Sequence, residues 1–268
     1  MRISRSGAGY LEVEIENLTV TAVSDGHVDL QPADVLDEHD AALPDARMPG
    51  LVKDGRVRLS VFAFVVRGPA GGLLIDAGAG GLMGAGAGRM RSAMAAAGID
   101  PHDIGQIALT HTHSDHCGGL IGPDAAMAFS SVERLFVPVE EMGLLRARSL
   151  GPMIDRMVPL EQGDGPMDGV VAVNAPGHSP GHMAFVVEGR LLIWGDIVHL
   201  PGLQFAAPDI GWRYDSDTGR ARATRRHLMA RAADEGLMVA GAHLAFPPIG
   251  RVFRDGDGFG FDPIGDFA

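Results

Sequence analysis

The chain has one cysteine, Cys117, in 268 residues. No intrachain disulfide can form, and cysteine usage gives no sign of an oxidising compartment. Cys117 itself is expected to be a small buried filler. No apolar run approaches the ~18 residues that suggest a membrane span. Met1 to Asn17 is polar and alternating and lacks the apolar core of a signal peptide. The expectation is a cytoplasmic protein without a membrane partner. Positive charge is scarce: 22 lysines and arginines stand against 34 acidic residues, a formal net charge of -12. Phosphate backbones need a basic field, so nucleic acid is excluded as a partner. A neutral or cationic small molecule fits the whole-chain charge better, although bound metal ions would add positive charge locally. Phosphate-binding loops are missing too. In the glycine-rich stretch from Ala77 to Gly88, Gly78-x-Gly80 is followed by Met83 where a dinucleotide fingerprint needs glycine, and no Gly-Lys-Ser/Thr follows.

What the chain does have is Thr110-His111-Thr112-His113-Ser114-Asp115-His116-Cys117-Gly118-Gly119. Four metal-type ligands fall within six residues, directly after the apolar run Gln106 to Leu109, which reads as a buried strand. His111 and His113 share one side of an extended segment. Asp115 and His116 can face different positions only once the backbone leaves the strand, which Gly118-Gly119 allows. One short segment can thus serve two ions.

The rest of the chain repeats the theme of apolar strands ending in ligand-type residues. Tyr10 to Glu16 alternates as a half-buried strand. Leu18 to Val23 predicts a second strand, closed by a turn at Ser24-Asp25-Gly26. Residues 31 to 56 read as an irregular excursion with one short helix, a lid or an interface. Leu59 to Val66 and Gly72 to Ile75 form a hairpin across Gly68-Pro69-Ala70-Gly71, and Asp76 follows as an acceptor that orients a ligand histidine. Arg89 to Ala97 reads as a helix. Leu135 to Val137 is a strand and Val139 to Ser149 a helix. Val170 to Val173 runs into Pro176-Gly177-His178. Met183 to Val187 and Leu191 to Trp194 make a hairpin that runs into Gly195-Asp196. Thr218 to Ala233 is a helix, and Leu237 to Ala240 runs into Gly241-Ala242-His243. The tail from Asp255 is uninformative. No linker or composition break divides the chain, so residues 1–268 are expected to form a single domain of α+β class, a sandwich of sheets with interspersed helices.

The ligand candidates are His111, His113, Asp115, His116, His178, Asp196 and His243. Five histidines and two carboxylates suit two borderline divalent ions, zinc foremost, with iron, manganese or cobalt as alternatives. The simplest partition gives His111, His113 and His178 to one ion and Asp115, His116 and His243 to the other, with Asp196 bridging. Two metals about 3.5–4 Å apart lower the pKa of water toward about 7 and supply hydroxide as nucleophile. One metal then polarises a carbonyl or phosphoryl oxygen and the other stabilises the leaving alkoxide. Asp115 and Asp196 are the catalytic candidates, Asp115 as a group able to take or give a proton. His182, opening a strand four residues after His178, and His199, three after Asp196, are candidates for ligand support or substrate contact.

In these motifs the chain resembles the metallo-β-lactamase-fold hydrolases. Leu74-Ile75-Asp76-Ala77-Gly78, Thr110 to Gly119, Ala175-Pro176-Gly177-His178-Ser179-Pro180-Gly181-His182 and Gly195-Asp196 fall in the family's order. The resemblance implies an αββα four-layer sandwich, a dinuclear zinc-type site and the partition above. Ala22-Val23-Ser24-Asp25-Gly26, Gln204-Phe205 and Ala242-His243-Leu244-Ala245-Phe246-Pro247 are similar to the branch holding methyl parathion hydrolase and related lactonases. In that branch the resemblance implies an aromatic residue near the Met83 slot for phosphotriesters, and a tyrosine near the metals for lactones, where Tyr214 is the candidate here. The expected activity is hydrolysis of a small ester, a lactone first, with phosphotriesterase activity as an extension. The alternatives are a thioesterase of the glyoxalase II type and a non-hydrolytic iron redox or sensor protein of the same fold. Dimers are common in the branch, so a homodimer is the assembly to test.

Overall fold

The structure is a computed structural model and describes residues 1–37, 40, 52–69, 71–121, 129–148 and 151–265. Two sheets face each other. The first runs in the order β1 (Arg2–Gly7), β2 (Tyr10–Ile15), β3 (Leu18–Leu30), β5 (Arg56–Gly68), β6 (Gly71–Ile75), β7 (Ile104–Ala108), β8 (Arg134–Pro138), β9 (Met157–Leu160), with β4 (Val52–Lys53) paired to β5. The second runs β10 (Val170–Asn174), β11 (Met183–Val187), β12 (Leu191–Ile193), β13 (Met238–Ala240), β14 (Ile249–Asp255), β15 (Gly258–Pro263). Both are mixed: β6 to β9 pair in parallel, as do β12 and β13, and the remaining pairs are antiparallel.

Three apolar clusters set the layers. Between the sheets, Val13, Phe64 and Ile75 of the first meet Phe185, Ile193 and Ile249 of the second. Helix α1 (Met90–Ala96) covers the outer face of the first sheet, packing Met90, Ala93 and Met94 with Val23, Leu74 and Ile107. Short helices α2 (Ser114–Cys117), α3 (Met142–Arg146) and α4 (Pro201–Gln204) come next in chain order. The long α5 (Thr218–Glu235) covers the outer face of the second sheet through Leu228, Met229 and Ala232. The order helix, sheet, sheet, helix is the expected αββα sandwich.

Two local expectations need correction. Ser24-Asp25-Gly26 is not a turn. β3 runs through it to Leu30, with a register shift against β5 at Ser24/Gly26. The shift is a bulge: Gly26 takes φ +105°, and a Cβ there would lie 2.1 Å from the Gly86 carbonyl oxygen. The segment after Val139 is not one continuous α-helix. A 3-10 turn (Val139–Glu141) precedes α3, which ends at Arg146, short of Gly151-Pro152. The tail, for which the sequence carried no expectation, forms the β14–β15 hairpin. Of the 31–56 excursion, a 3-10 turn at Pro32–Asp34, a bridge from Leu36 to Trp212, and β4 are seen. Residues 38–39 and 41–51 lie outside the described residues, and with them the question of lid or interface.

Candidate metal centre

Every ligand-type residue singled out above follows the carboxyl end of a strand, on one edge of the sandwich. β7 leads into His111 to His116, β10 into His178, β12 into Asp196 and β13 into His243. Open α/β sheets characteristically place sites outside the carboxyl ends of strands.

The turns that carry these side chains are fixed by close backbone approach. Gly118 and Gly119 lie against the loop after β6: added Cβ atoms would meet the carbonyl oxygens of Ala79 and Ala77 at 2.2 and 2.1 Å. That loop is anchored by Asp25, whose carboxylate accepts from the backbone N–H groups of Ala79, Gly88 and Met90 at 2.8, 3.1 and 2.9 Å. Gly195 takes φ +54°, and a Cβ there would stand 2.6 Å from His182 Nε2.

The structure brings all seven candidates together as two groups that share one residue. His111, His113, His178 and Asp196 each offer an atom within 4.8 Å of the others, and so do Asp115, His116, Asp196 and His243. Asp196 Oδ1 lies 3.0 Å from His116 Nε2 and 3.1 Å from His243 Nε2, while Oδ2 lies 3.1 Å from His178 Nε2 and 3.7 Å from His111 Nε2. Each oxygen thus serves one group.

Four of the atoms in this cluster are near one another without being satisfied. His111 Nε2, His116 Nε2, His243 Nε2 and Asp196 Oδ1 are buried and have no properly directed hydrogen-bond partner. Short distances with unsatisfied geometry describe donors converging on a point rather than on one another. Buried polar atoms of this kind are costly. A divalent cation in each group removes that cost, and imidazole with carboxylate is a donor set that suits such ions. The residues fit two metals.

The other ring nitrogens point outward to acceptors. His116 Nδ1 donates to Asp76 Oδ2 (2.8 Å), His178 Nδ1 to Asp215 Oδ1 (2.9 Å) and His243 Nδ1 to the Ser60 carbonyl (2.7 Å). Each bond sets the tautomer that leaves Nε2 as the inward lone pair. Asp76 also accepts from the Thr110 N–H at 2.8 Å and sits at φ +61°, unusual for a non-glycine residue. His182 plays a different part. Its Nδ1 donates to the Ala175 carbonyl (3.0 Å), so its Nε2 accepts from the Asp196 backbone N–H (3.0 Å) and fixes that residue.

Charge is divided sharply inside the cluster. Burial, with the neighbouring imidazoles His116 and His113, holds His111 well below the ordinary histidine range. Burial and His178 push His113 down to about 4, and burial takes His182 and His199 to about 3. Burial also opposes charge on His116, His178 and His243, but the carboxylates outweigh it. Asp196, Asp76 and Asp115 raise His116 well above its usual value, Asp196 and Asp215 raise His178 to about 9, and Asp196 and Asp115 raise His243. Asp196 is itself held well below the carboxylate range, because its four histidines overcome its burial. Burial drives the Cys117 thiol up to about 11, and its Sγ donates to the Thr112 carbonyl (3.3 Å), so it is a packed thiol.

Over the two groups lies a cavity of about 340 Å³, walled by Val28, Leu30, Leu59, Met83, Trp212 and Tyr214 beside the ligands. Met83 and Tyr214 are therefore at the cavity, Tyr214 half exposed. His199 is buried there, 3.2 Å from Asp196 Oδ2 and stacked on Trp212 with ring centroids 4.5 Å apart.

Several participants escaped the sequence. Asp215 stands beside Tyr214, but nothing local marks it as the partner of a histidine 37 positions away. Behind it, the buried Arg225 donates to the carbonyls of Ile197, Pro208 and Ile210 and lies 3.7 Å from Asp215. Glu141 accepts from Thr112 Oγ1 (2.6 Å) and the Gly181 N–H (3.1 Å), tying the loop of the first ligands to the loop after His178. Its signal was an acidic residue in an apolar-flanked turn, which is weak. Trp212 and Arg148 carried no signal.

A family model of the metallo-beta-lactamase superfamily matches residues 56–243. No curated protein matches the sequence. Among solved structures, the hydrolase AbOPH of the beta lactamase superfamily is 25% identical with a TM-score of 0.84, covering 98% of this chain and 100% of that one. AidC, a dizinc quorum-quenching lactonase in complex with a product, is 20% identical at TM-score 0.86, over 97% and 99%. A probable metal-dependent hydrolase from Staphylococcus aureus is 16% identical at TM-score 0.79, over 96% and 100%. The last two likenesses speak for the fold.

Proposed function

Because the chain belongs to the metallo-β-lactamase superfamily, we propose that it is a dinuclear metal-dependent hydrolase of small esters, lactones first, in the lactonase-like branch. The observation that carries this reading is the pair of four-residue groups sharing Asp196 at the floor of a largely apolar cavity. His111, His113 and His178 would hold one ion, Asp115, His116 and His243 the other, and Asp196 both. Zinc is the proposed ion, from the mixed imidazole and carboxylate set. When bound, two such ions supply Lewis acidity that polarises an ester carbonyl and acidifies water at neutral pH.

The protein's own contribution is positioning and exclusion. Asp76, Asp215 and the Ser60 carbonyl hold three imidazoles in the tautomer that presents Nε2. His182 holds the Asp196 backbone. Val28, Leu30, Leu59, Met83 and Trp212 remove water from the hydrocarbon part of a substrate, and the ester end then faces the ligands. Asp115, 12% exposed and lining the cavity, is the carboxylate placed to move a proton to a leaving alcohol. The overall likeness to AidC, itself a lactonase, supports placing lactones first.

A turnover panel of a γ-lactone, an aryl ester and a phosphotriester on zinc-loaded protein tests the reading. Lactone hydrolysis that disappears in Asp196→Ala is expected. Zinc-loaded protein that turns over none of the three contradicts it.

A further inference from the structure

We propose that the cavity carries an anion subsite at Arg148, and that the substrate is an ester or lactone bearing a carboxylate a few bonds from its scissile carbonyl. This rests on the hydrolase reading above and names its substrate class.

Arg148 follows α3, in the bend after the helix ends at Arg146. Had the helix continued, its side chain would follow the helix surface. Instead it lines the cavity with His113, Asp115, His178 and Asp196, and among the described residues it is the one lysine or arginine in the lining. A guanidinium has five N–H donors. Arg148 commits one to the protein, Nη1 donating to Ser114 Oγ at 3.2 Å. Among the described residues no carboxylate lies within ion-pair distance of it, although the chain is rich in acid and Arg58, Arg226 and Arg254 each form two-pronged pairs. The remaining donors are available to a ligand in the cavity.

The bond to Ser114 sets the distance from the chemistry. Ser114 lies between His113 and Asp115 in the chain, so the guanidinium sits beside the residues that would hold the metals. An anion on Arg148 is therefore near the reacting carbonyl but not on it. The two cavity carboxylates, Asp115 and Asp196, belong to the metal groups, so with two divalent ions bound the cavity is net positive. Distant surface charge is screened over about 8 Å, so the -12 of the whole chain does not by itself set the sign of the field in the cavity. The apolar wall takes the hydrocarbon that joins carboxylate to ester. A fork of parallel N–H donors matches a carboxylate better than a single carbonyl oxygen.

The test compares two esters of equal chain length, p-nitrophenyl hexanoate and the p-nitrophenyl monoester of adipic acid, which differ in a terminal methyl against a carboxylate. Zinc-loaded wild type is expected to favour the adipate monoester in kcat/KM by about tenfold or more, as a charged hydrogen-bonded pair allows. Arg148→Ala is expected to lose that preference, its kcat/KM falling about tenfold more on the adipate monoester than on the hexanoate, with a wild-type circular dichroism spectrum showing that the variant folds. Arg148→Lys is expected to recover part. Parallel losses on both esters, or a wild-type preference for hexanoate, overturn the subsite.

A binding arm separates the two claims. Trp212 lines the same cavity, so quenching of tryptophan fluorescence reads occupancy without turnover. Adipic acid monoamide is expected to bind wild type at least tenfold tighter than Arg148→Ala. Such binding with neither ester hydrolysed would keep the subsite and sink the hydrolase reading. Equal binding by the two proteins would place the carboxylate elsewhere, metals included, and overturn the subsite.

Discussion

At the residue scale, the candidate ligands that the structure groups together were legible because ligand-type residues are dense in sequence. His111, His113, Asp115 and His116 fall within one turn of chain, and the later ligands each end an apolar run. What holds the ligands was legible only where it also ends a strand, as Asp76 does. Asp215 and Glu141 act through contacts 37 and 29 positions distant, which a single sequence does not encode. These partners give the first prediction. Asp76→Asn leaves His116 without its carboxylate acceptor, and Asp215→Asn does the same to His178. Each is expected to weaken metal affinity about tenfold to a hundredfold, measured by competition with a chromogenic chelator. Unchanged affinity in both would mean that these carboxylates do not orient the ligands. A second prediction concerns Gly195. Its φ of +54° and the 2.6 Å approach of a Cβ to His182 Nε2 mean that Gly195→Ala must displace His182 or Asp196. The expected outcome is a loss of bound metal together with a lower melting temperature, read by metal analysis and thermal denaturation. A variant with wild-type values for both would show that the turn tolerates a side chain.

At the element scale, alternation and terminal glycines were enough to locate most of the strands and the α5 helix. The errors fell where tertiary contacts override local signals. Ser24-Asp25-Gly26 has the composition of a turn, yet pairing with β5 carries β3 through it, and Asp25 is spent on capping a distant loop. The β14–β15 hairpin was overlooked: Val252, Phe253, Phe259 and Phe261 flank a Gly256-Asp257 loop of hairpin type, but the glycine- and aspartate-rich composition masks it. The first sheet's outer strands contain a testable charge cluster. Glu12, 5% exposed, accepts from Arg5, Ser4 and Thr21 and pairs with Arg67 at 2.5 Å. Burial opposes its ionisation, but Arg5 and Ser4 outweigh it and hold the carboxyl below the usual range. A folded-state value below the unfolded one contributes stability above the unfolded pKa and loses it as pH falls through the folded one. Glu12→Gln is therefore expected to be less stable than wild type at pH 7, by about 2 kcal/mol, with the gap closing as pH falls below about 4.5. Denaturant titrations of both proteins at pH 7 and pH 3.5 check this. A gap that persists undiminished at low pH would assign the loss to packing rather than charge.

At the scale of the whole molecule, four layers, two sheets and a site at one edge followed from the order of strand and ligand motifs. Net charge was the less useful guide. It argues against a nucleic-acid partner, but it averages over a surface and says little about a cavity lined by metal-type ligands and Arg148. The same layering makes the site structural as well as chemical. Loops from both sheets converge on Asp196, so bound ions would tie the two halves together. Removing them with a chelator is expected to lower the melting temperature, and a ligand present at a thousand times its Kd stabilises by about 4 kcal/mol. A melting temperature indifferent to metal would contradict this coupling. The most direct test of the central claim is one titration: zinc added stepwise to metal-free protein while hydrolysis of a γ-lactone is followed. A dinuclear hydrolase is expected to show no turnover without metal and a rate that reaches its plateau at two equivalents per chain. Turnover in the metal-free protein, or none at any zinc level while two ions bind, would contradict it.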